Sequence, residues 1–266
     1  MTTDRYPKLR SKTLSNGARV IGIAKGAGMI EPNMATMLSY IMTDAVISKA
    51  ELQSMLADAV NVSFNSISVD GDESTSDTAV IISSNKVEMA DPLLKNEFQS
   101  ALSEICRGLA GDMVRNGEGT GHVMRVDIQN FPGSDHEARR LGRHVVNSPL
   151  FKCAVSGNDP NIGRLAGAVG SFMGKFKNDS DVSQMVMTLG GRTIFSEGKF
   201  VLEGADVERE MSDHMMDAQQ DELGDFPSHQ KCVEIGIDFV NGGASAVVIG
   251  SDLTQEYIVV NADYRS

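Results

Sequence analysis

The chain has 266 residues, with 24 Lys plus Arg against 36 Asp plus Glu and a formal net charge of −12. That balance argues against a nucleic-acid backbone or an anionic membrane surface as the main partner. With 41% hydrophobic and 23% charged residues the profile is globular, and no apolar run approaches the ~20 residues of a membrane span.

Asn16 and Gly17 signal a turn before the apolar run 20–23. A glycine-rich segment covers 25–36, and a largely apolar stretch covers 37–42. Ser48 with Glu51 makes a capping box ahead of Leu52, Met55, Leu56, Ala59 and Val62, which predicts a helix over 48–65. Residues 70–77 read as a polar loop and 78–83 as a buried strand. A second helix is predicted over 92–109, and alternation from Met124 to Ile128 predicts a half-buried strand. Ser134 and Glu137 cap a helix striped by Ala138, Leu141 and Val145, with Pro149 just beyond its end. Residues 157–170 open another helix, and 184–189 with 192–195 form a strand pair around Gly190 and Gly191. An acidic helix over 205–220 carries Met211, Met215 and Met216, which are expected to pack into a core or an interface. Strands are predicted around 233–239, 244–249 and 257–260. No internal repeat or linker divides the chain. Helices and strands are interspersed without a strict βαβ rhythm, which favours an α+β, layered or sandwich-like architecture.

Three cysteines, Cys106, Cys153 and Cys232, lie far apart, so neither a zinc ribbon nor a disulfide framework is expected. The five histidines are scattered and form no metal-ligand pattern; Asp70, Asp72 and Ser74 start like a calcium loop but lack its later Gly and Glu. The segment at 23–38 is the informative one. Gly26 and Gly28 open unusual backbone conformations and Pro32 restrains Glu31, so a rigid loop leads into Ala35 and Thr36. A phosphate cradle fits poorly, because the Walker spacing and a closing Lys-Ser/Thr pair are missing. On loop chemistry alone, a glycine turn between strands is the preferred reading.

The run Lys25, Gly26, Gly28, Met29, Ile30, Pro32, Asn33, Met34, Ala35, Thr36, Met37 resembles the self-cleavage segment of the ornithine acetyltransferase family (glutamate N-acetyltransferase, bifunctional in many members). Further blocks agree in order and spacing. They include Thr2-Thr3-Asp4 with Pro7 and Lys8, Thr43-Asp44-Ala45, Asp70-Gly71-Asp72, Gly117-Glu118-Gly119, and Asn147-Ser148-Pro149-Leu150. Asp159-Pro160-Asn161 with Arg164, Gly250 to Thr254, and the closing Asn261 to Ser266 complete the set, so the resemblance covers essentially the whole chain. It implies a layered α/β/β/α fold of the ornithine acetyltransferase and DmpA-like aminopeptidase type.

In the family, the precursor cuts itself before a threonine that matches Thr36. The resemblance therefore implies a cut between Ala35 and Thr36, with residues 1–35 ending an α-chain and 36–266 forming a β-chain. The freed α-amine, with a pKa near 7.7–8.0, is suited to act as base for its own hydroxyl. The acetyl group of N-acetylornithine would pass to Thr36 and then to glutamate, the cyclic route of arginine biosynthesis. No cofactor is implied, and acetyl-CoA enters only as the co-substrate that bifunctional members use.

Carried over residue by residue, Thr2, Lys25, Glu118, Asn261 and Ser266 join Thr36 in binding substrate. Ser266 is threonine in many relatives and keeps the hydroxyl. Without the family, Lys25 and Glu118 read as exposed loop residues and the chain end as frayed. The resemblance also implies a heterotetramer of two cleaved pairs, in the bacterial cytoplasm or the mitochondrial matrix.

Family precursors carry a long segment ahead of the block that matches Thr2 to Asp4, with a Thr-Gly pair forming the oxyanion hole. The sequence in hand is expected to be a fragment of a full enzyme, or a shortened protein completed by a partner. Two other readings stay open: a self-processing but inactive subunit, and a related N-terminal-nucleophile aminopeptidase.

Overall fold

A computed structural model of the chain describes residues 3–4, 6–31, 37–73, 77–201, 204–220 and 230–263. The chain divides into two compact units, Met1–Gly117 and Glu118–Ser266. The division falls inside the Gly117-Glu118-Gly119 block, where no linker composition marks it, so the sequence signals that betray a boundary were absent.

In the first unit, β1 (Lys8–Thr13), β2 (Arg19–Lys25), β3 (Leu38–Ala45) and β5 (Thr78–Val87) form a sheet in that order. The short β4 (Ile67–Ser68) precedes β5 in the chain. β1–β2 and β2–β3 pair antiparallel, while β3–β5 pair parallel. The turn at Asn16 and Gly17 is present, with Gly17 at φ +86°. Two helices, α1 (Lys49–Asn61) and α2 (Pro92–Arg115), belong to this unit. Ser48 and Glu51 make both bonds of the capping box on α1. α2 runs one and a half turns past the predicted end, because Ala110, Met113 and Val114 continue its buried stripe. Gly22 lets α2 approach β2: a Cβ there would stand 2.7 Å from Ile105 Cγ2 and 2.8 Å from Leu109 Cδ1. Arg10 closes the contact with a two-pronged bond to Asp112, at 2.8 and 2.6 Å.

The expectation of a buried strand over 78–83 is corrected. β5 lies at the edge of the sheet and none of its residues is fully buried. A short apolar run reports burial only when both faces are covered.

In the second unit the strand order is β11 (Ala244–Ser251), β6 (Val123–Phe131), β10 (Val233–Asp238), β7 (Val186–Leu189), β8 (Arg192–Ser196), β9 (Lys199–Phe200). The helices are α3 (Asp135–Val146), α4 (Pro149–Ser156), α5 (Ile162–Phe176), α6 (Gly204–Ala218) and α7 (Gln255–Asp263). One core joins Met124, Val126 and Ile128 of β6 to Leu141 and Val145 of α3, Leu165 and Phe172 of α5, and Met211 and Met215 of α6. Met216 is half-exposed, so only two of the three methionines pack inward as expected. Pro149 does not merely follow α3; it opens α4, where a missing N–H costs nothing.

The strand predicted over 257–260 is corrected to helix. The Thr254 hydroxyl accepts from the Tyr257 N–H at 3.3 Å and starts α7. Four apolar residues alone carry no period that tells helix from strand. Among the described residues no helix is long and apolar enough to cross a membrane.

Candidate active site

Lys25 ends β2 directly opposite Leu38 of β3. The two shores of the Gly/Pro loop therefore lie side by side in one sheet. Carboxylates grip both of them. Asp4 accepts the Gly26 N–H at 2.8 Å and the Asn116 side-chain amide at 2.8 Å. It also pairs with Lys8, whose ammonium pKa is lowered, chiefly by burial and against the pull of Asp4. The block around Asp4 thus anchors the entry to the loop.

Asp70 holds the next turn. Its two oxygens accept the Met29 and Ile30 N–H groups at 2.7 and 3.0 Å. Met29 has φ +53°, a left-handed conformation that a non-glycine residue keeps only when its surroundings enforce it. The Ile30 carbonyl accepts from Val69 at 2.7 Å, and Glu31 accepts from the Ser68 hydroxyl at 2.8 Å. Ala27 and Ile30 are buried. On the far shore, Asp77 accepts the Met37 N–H at 2.5 Å, and Thr78 donates to the Met37 carbonyl at 3.0 Å. Burial pushes the Asp77 carboxyl up to about 6, against the pull of the Met37 N–H and the charge of Lys25. Its second oxygen is buried and accepts no hydrogen bond among the described residues.

In the second unit, Asn261 donates to Glu118 Oε2 at 2.9 Å and to the Tyr257 carbonyl at 3.0 Å. Two substrate-binding candidates from opposite ends of the unit's sequence are thereby brought together. The intervening residue types explain how. Gly119 sits at φ +64°, and a Cβ on it would lie 2.3 Å from the Tyr257 nitrogen, so only glycine lets α7 seat here. Thr254 donates to the Gly119 carbonyl at 2.5 Å. Asp252 accepts the Gly121 N–H at 2.9 Å and meets His122 Nδ1 at 2.8 Å. The other ring nitrogen of His122 meets Asn158 Oδ1 at 3.0 Å. With both ring nitrogens engaged and the ring buried, His122 braces the Glu118 segment.

Thr2, Ala35, Thr36 and Ser266 lie outside the described residues. Lys25 belongs to the first unit and the Glu118–Asn261 pair to the second. Sequence reasoning did not single out Asp4, Asp77, His122 or Asp252, and it weighed Asp70 only as the start of a calcium loop. Asp4, Asp70 and Asp252 sat inside the quoted blocks, but a carboxylate that binds backbone N–H groups leaves no spacing signature. Among the described residues no group of three or more His, Cys, Asp or Glu could hold a metal ion.

The family model of ArgJ matches residues 1–266. The chain belongs to the ArgJ family. It is 38% identical over 265 residues to the arginine biosynthesis bifunctional protein ArgJ 2 of Clostridium acetobutylicum, covering 99% of this chain and 62% of that protein. It is 39% identical over 271 residues to the glutamate N-acetyltransferase of Methanopyrus kandleri, covering 100% of this chain and 64% of that one. The chain thus spans a little under two thirds of the length of these curated relatives. A crystal structure of the arginine biosynthesis bifunctional protein argJ from Bacillus halodurans superposes with a TM-score of 0.73 at 29% identity, covering 86% of this chain and 100% of that one. The mixed α/β layering is therefore that of ArgJ, as the motifs implied.

Proposed function

We propose that this chain carries the nucleophile-bearing part of a glutamate N-acetyltransferase. It would move the acetyl group of N-acetylornithine to glutamate after self-cleavage between Ala35 and Thr36. The observation that carries the reading is the double clamp on the loop: Asp70 on Met29 and Ile30, and Asp77 on Met37, hold both flanks of the cleavage motif. A loop held on both flanks, with Met29 kept in a left-handed conformation on one of them, is suited to hold backbone strain.

Cleavage would turn the Thr36 α-amine into a base beside its own hydroxyl. The hydroxyl proton passes to that amine as Oγ attacks the acetyl carbonyl of N-acetylornithine. The carbon–nitrogen bond breaks, the proton goes to the departing ornithine amine, and acetyl-threonine remains. The amine of glutamate then attacks the ester and restores the hydroxyl. Lys25 suits a substrate carboxylate and the Glu118–Asn261 pair suits a substrate ammonium. Thr2 and Ser266 complete the proposed binding set. Acetyl-CoA would serve as a second acetyl donor, and two cleaved pairs would form the assembly.

The β2–β3 pairing has a direct consequence for a cut chain. Six residue pairs, from Val20 with Thr43 to Lys25 with Leu38, would keep the two pieces in one sheet. The test is transfer of labelled acetyl from N-acetylornithine to glutamate, with Thr36→Ala as control. Transfer that is lost in the control supports the reading. Release of amino acids from peptides without acetyl transfer supports an aminopeptidase, and neither activity supports an inactive subunit.

A further inference from the structure

Self-cleavage and acetyl transfer do not have the same base at hand. Before the cut, the Thr36 nitrogen belongs to a peptide bond, where resonance removes its basicity. The α-amine that serves the transfer is itself a product of the cut. Another group must therefore take the Thr36 hydroxyl proton in the first reaction.

Asp77 stands just before β5, and its Oδ1 accepts the Met37 N–H at 2.5 Å. Thr78 donates to the Met37 carbonyl at 3.0 Å, so both polar groups of Met37 are held. The Met37 nitrogen is bonded to the Thr36 carbonyl carbon. Standard bond lengths therefore keep Asp77 Oδ1 within about 5 Å of the Thr36 Cα. Asp77 Oδ2 is buried and accepts no hydrogen bond among the described residues, where no other carboxylate has such an oxygen. A buried acceptor in that state is uncommon and calls for a role. The other two loop carboxylates are committed: Asp70 to the Met29 and Ile30 N–H groups, Asp4 to Gly26, Asn116 and Lys8. On β2, in the rung shared with Leu38 and Thr78, Lys25 is the charged group that acts on Asp77; Met37 and Leu38 bring no charge. Burial outweighs the pull of the Met37 N–H and of Lys25, so the carboxyl titrates at about 6. It is ionised at neutral pH and more basic than an exposed aspartate, which suits a general base.

We propose that Asp77 is the base of the self-cleavage step, an inference that rests on the cleavage proposed above. The Thr36 hydroxyl proton passes to Asp77 Oδ2 as Oγ attacks the Ala35 carbonyl carbon. The bond from that carbon to the Thr36 nitrogen breaks, and Asp77 hands the proton to the departing nitrogen. An ester between Ala35 and the Thr36 oxygen results, with a free α-amine. Water then hydrolyses the ester, leaving the Ala35 carboxyl group and restoring the Thr36 hydroxyl.

The test follows the cut over time, by gel and intact mass, in the full chain made by cell-free synthesis, from about pH 5 to about pH 8. The wild-type rate should rise with pH and level off above about 6. Asp77→Asn keeps an oxygen for the Met37 N–H but is a far weaker base. It should cut at least a hundredfold more slowly, with no break near 6. Asp77→Glu restores the carboxylate and should cut at least tenfold faster than Asp77→Asn. Asp70→Asn weakens the clamp on the other flank and should keep the break. Thermal melting at neutral pH confirms that each variant is folded. An Asp77→Asn chain that cuts within tenfold of the wild-type rate, or that keeps the break, overturns the inference while the cleavage reading stands. So do Asn and Glu variants that cut equally slowly. A wild-type chain that stays whole, as Thr36→Ala must, instead sinks the cleavage reading and the inference with it.

Discussion

Asn261 reaches across 143 positions of sequence to donate its side-chain amide to Glu118 at 2.9 Å. The bond fixes the direction of the Glu118 carboxylate from a helix that itself rests on Gly119. Asn261→Ala is expected to leave stability nearly unchanged, since the pair is exposed. On the proposed function it should raise KM for N-acetylornithine roughly tenfold or more, the scale of a lost hydrogen bond to a charged group. Steady-state kinetics beside a thermal melt checks this, and an unchanged KM with an altered melting temperature would contradict a binding role.

Asp70 serves two adjacent backbone donors. Asp70→Ala strips both, and the cost should fall on the loop first, at about 2 kcal/mol of local stability. Hydrogen exchange at the Met29 and Ile30 amides should quicken by more than tenfold while the α2 amides keep their protection. Asp70→Asn keeps one carbonyl acceptor and should lie between the two.

Asp77 makes stability depend on pH. Its folded-state carboxyl is pushed up from 3.8 to about 6, mainly by burial. Between those values the folded chain holds a proton that the unfolded chain has released. Stability from this group is thus present at low pH and declines as pH rises through about 6. Asp77→Asn should remove that slope and stabilise the chain at neutral pH by on the order of 1 kcal/mol, a figure reduced for its solvent-facing side. Urea unfolding of both proteins across pH 4 to pH 7 (about one unit per step) measures the difference.

Gly22 is a packing device. Any side chain there meets Ile105 and Leu109 of α2 at under 3 Å. Gly22→Val should destabilise the first unit by about 1–3 kcal/mol through overpacking, despite the better strand propensity of valine. Denaturant titration checks the size, and a stabilised variant would mean that α2 can move away at little cost.

Much of this was legible in the residues. The capping boxes at Ser48 and Ser134 marked true helix starts because they are local reciprocal bonds. Alternation in Val233, Ile235 and Ile237 marked a strand with one buried face. Legibility failed where the cause was distant. β5 reads as buried by composition, yet its burial depends on what lies beyond the sheet edge. α7 reads as strand from four apolar residues, yet Thr254 and Gly119 make it a helix. At the candidate site the motif named Lys25, Glu118 and Asn261, but the carboxylates that position their surroundings became visible only in three dimensions.

The most direct measurement is intact-mass spectrometry of the purified chain, alone and after incubation with N-acetylornithine. Two pieces divided between Ala35 and Thr36, with one acetyl group gained on the piece that begins at Thr36, are the expected result. A single uncut chain identical in behaviour to its Thr36→Ala variant, or a cut chain that never gains acetyl at Thr36, would contradict the proposed chemistry.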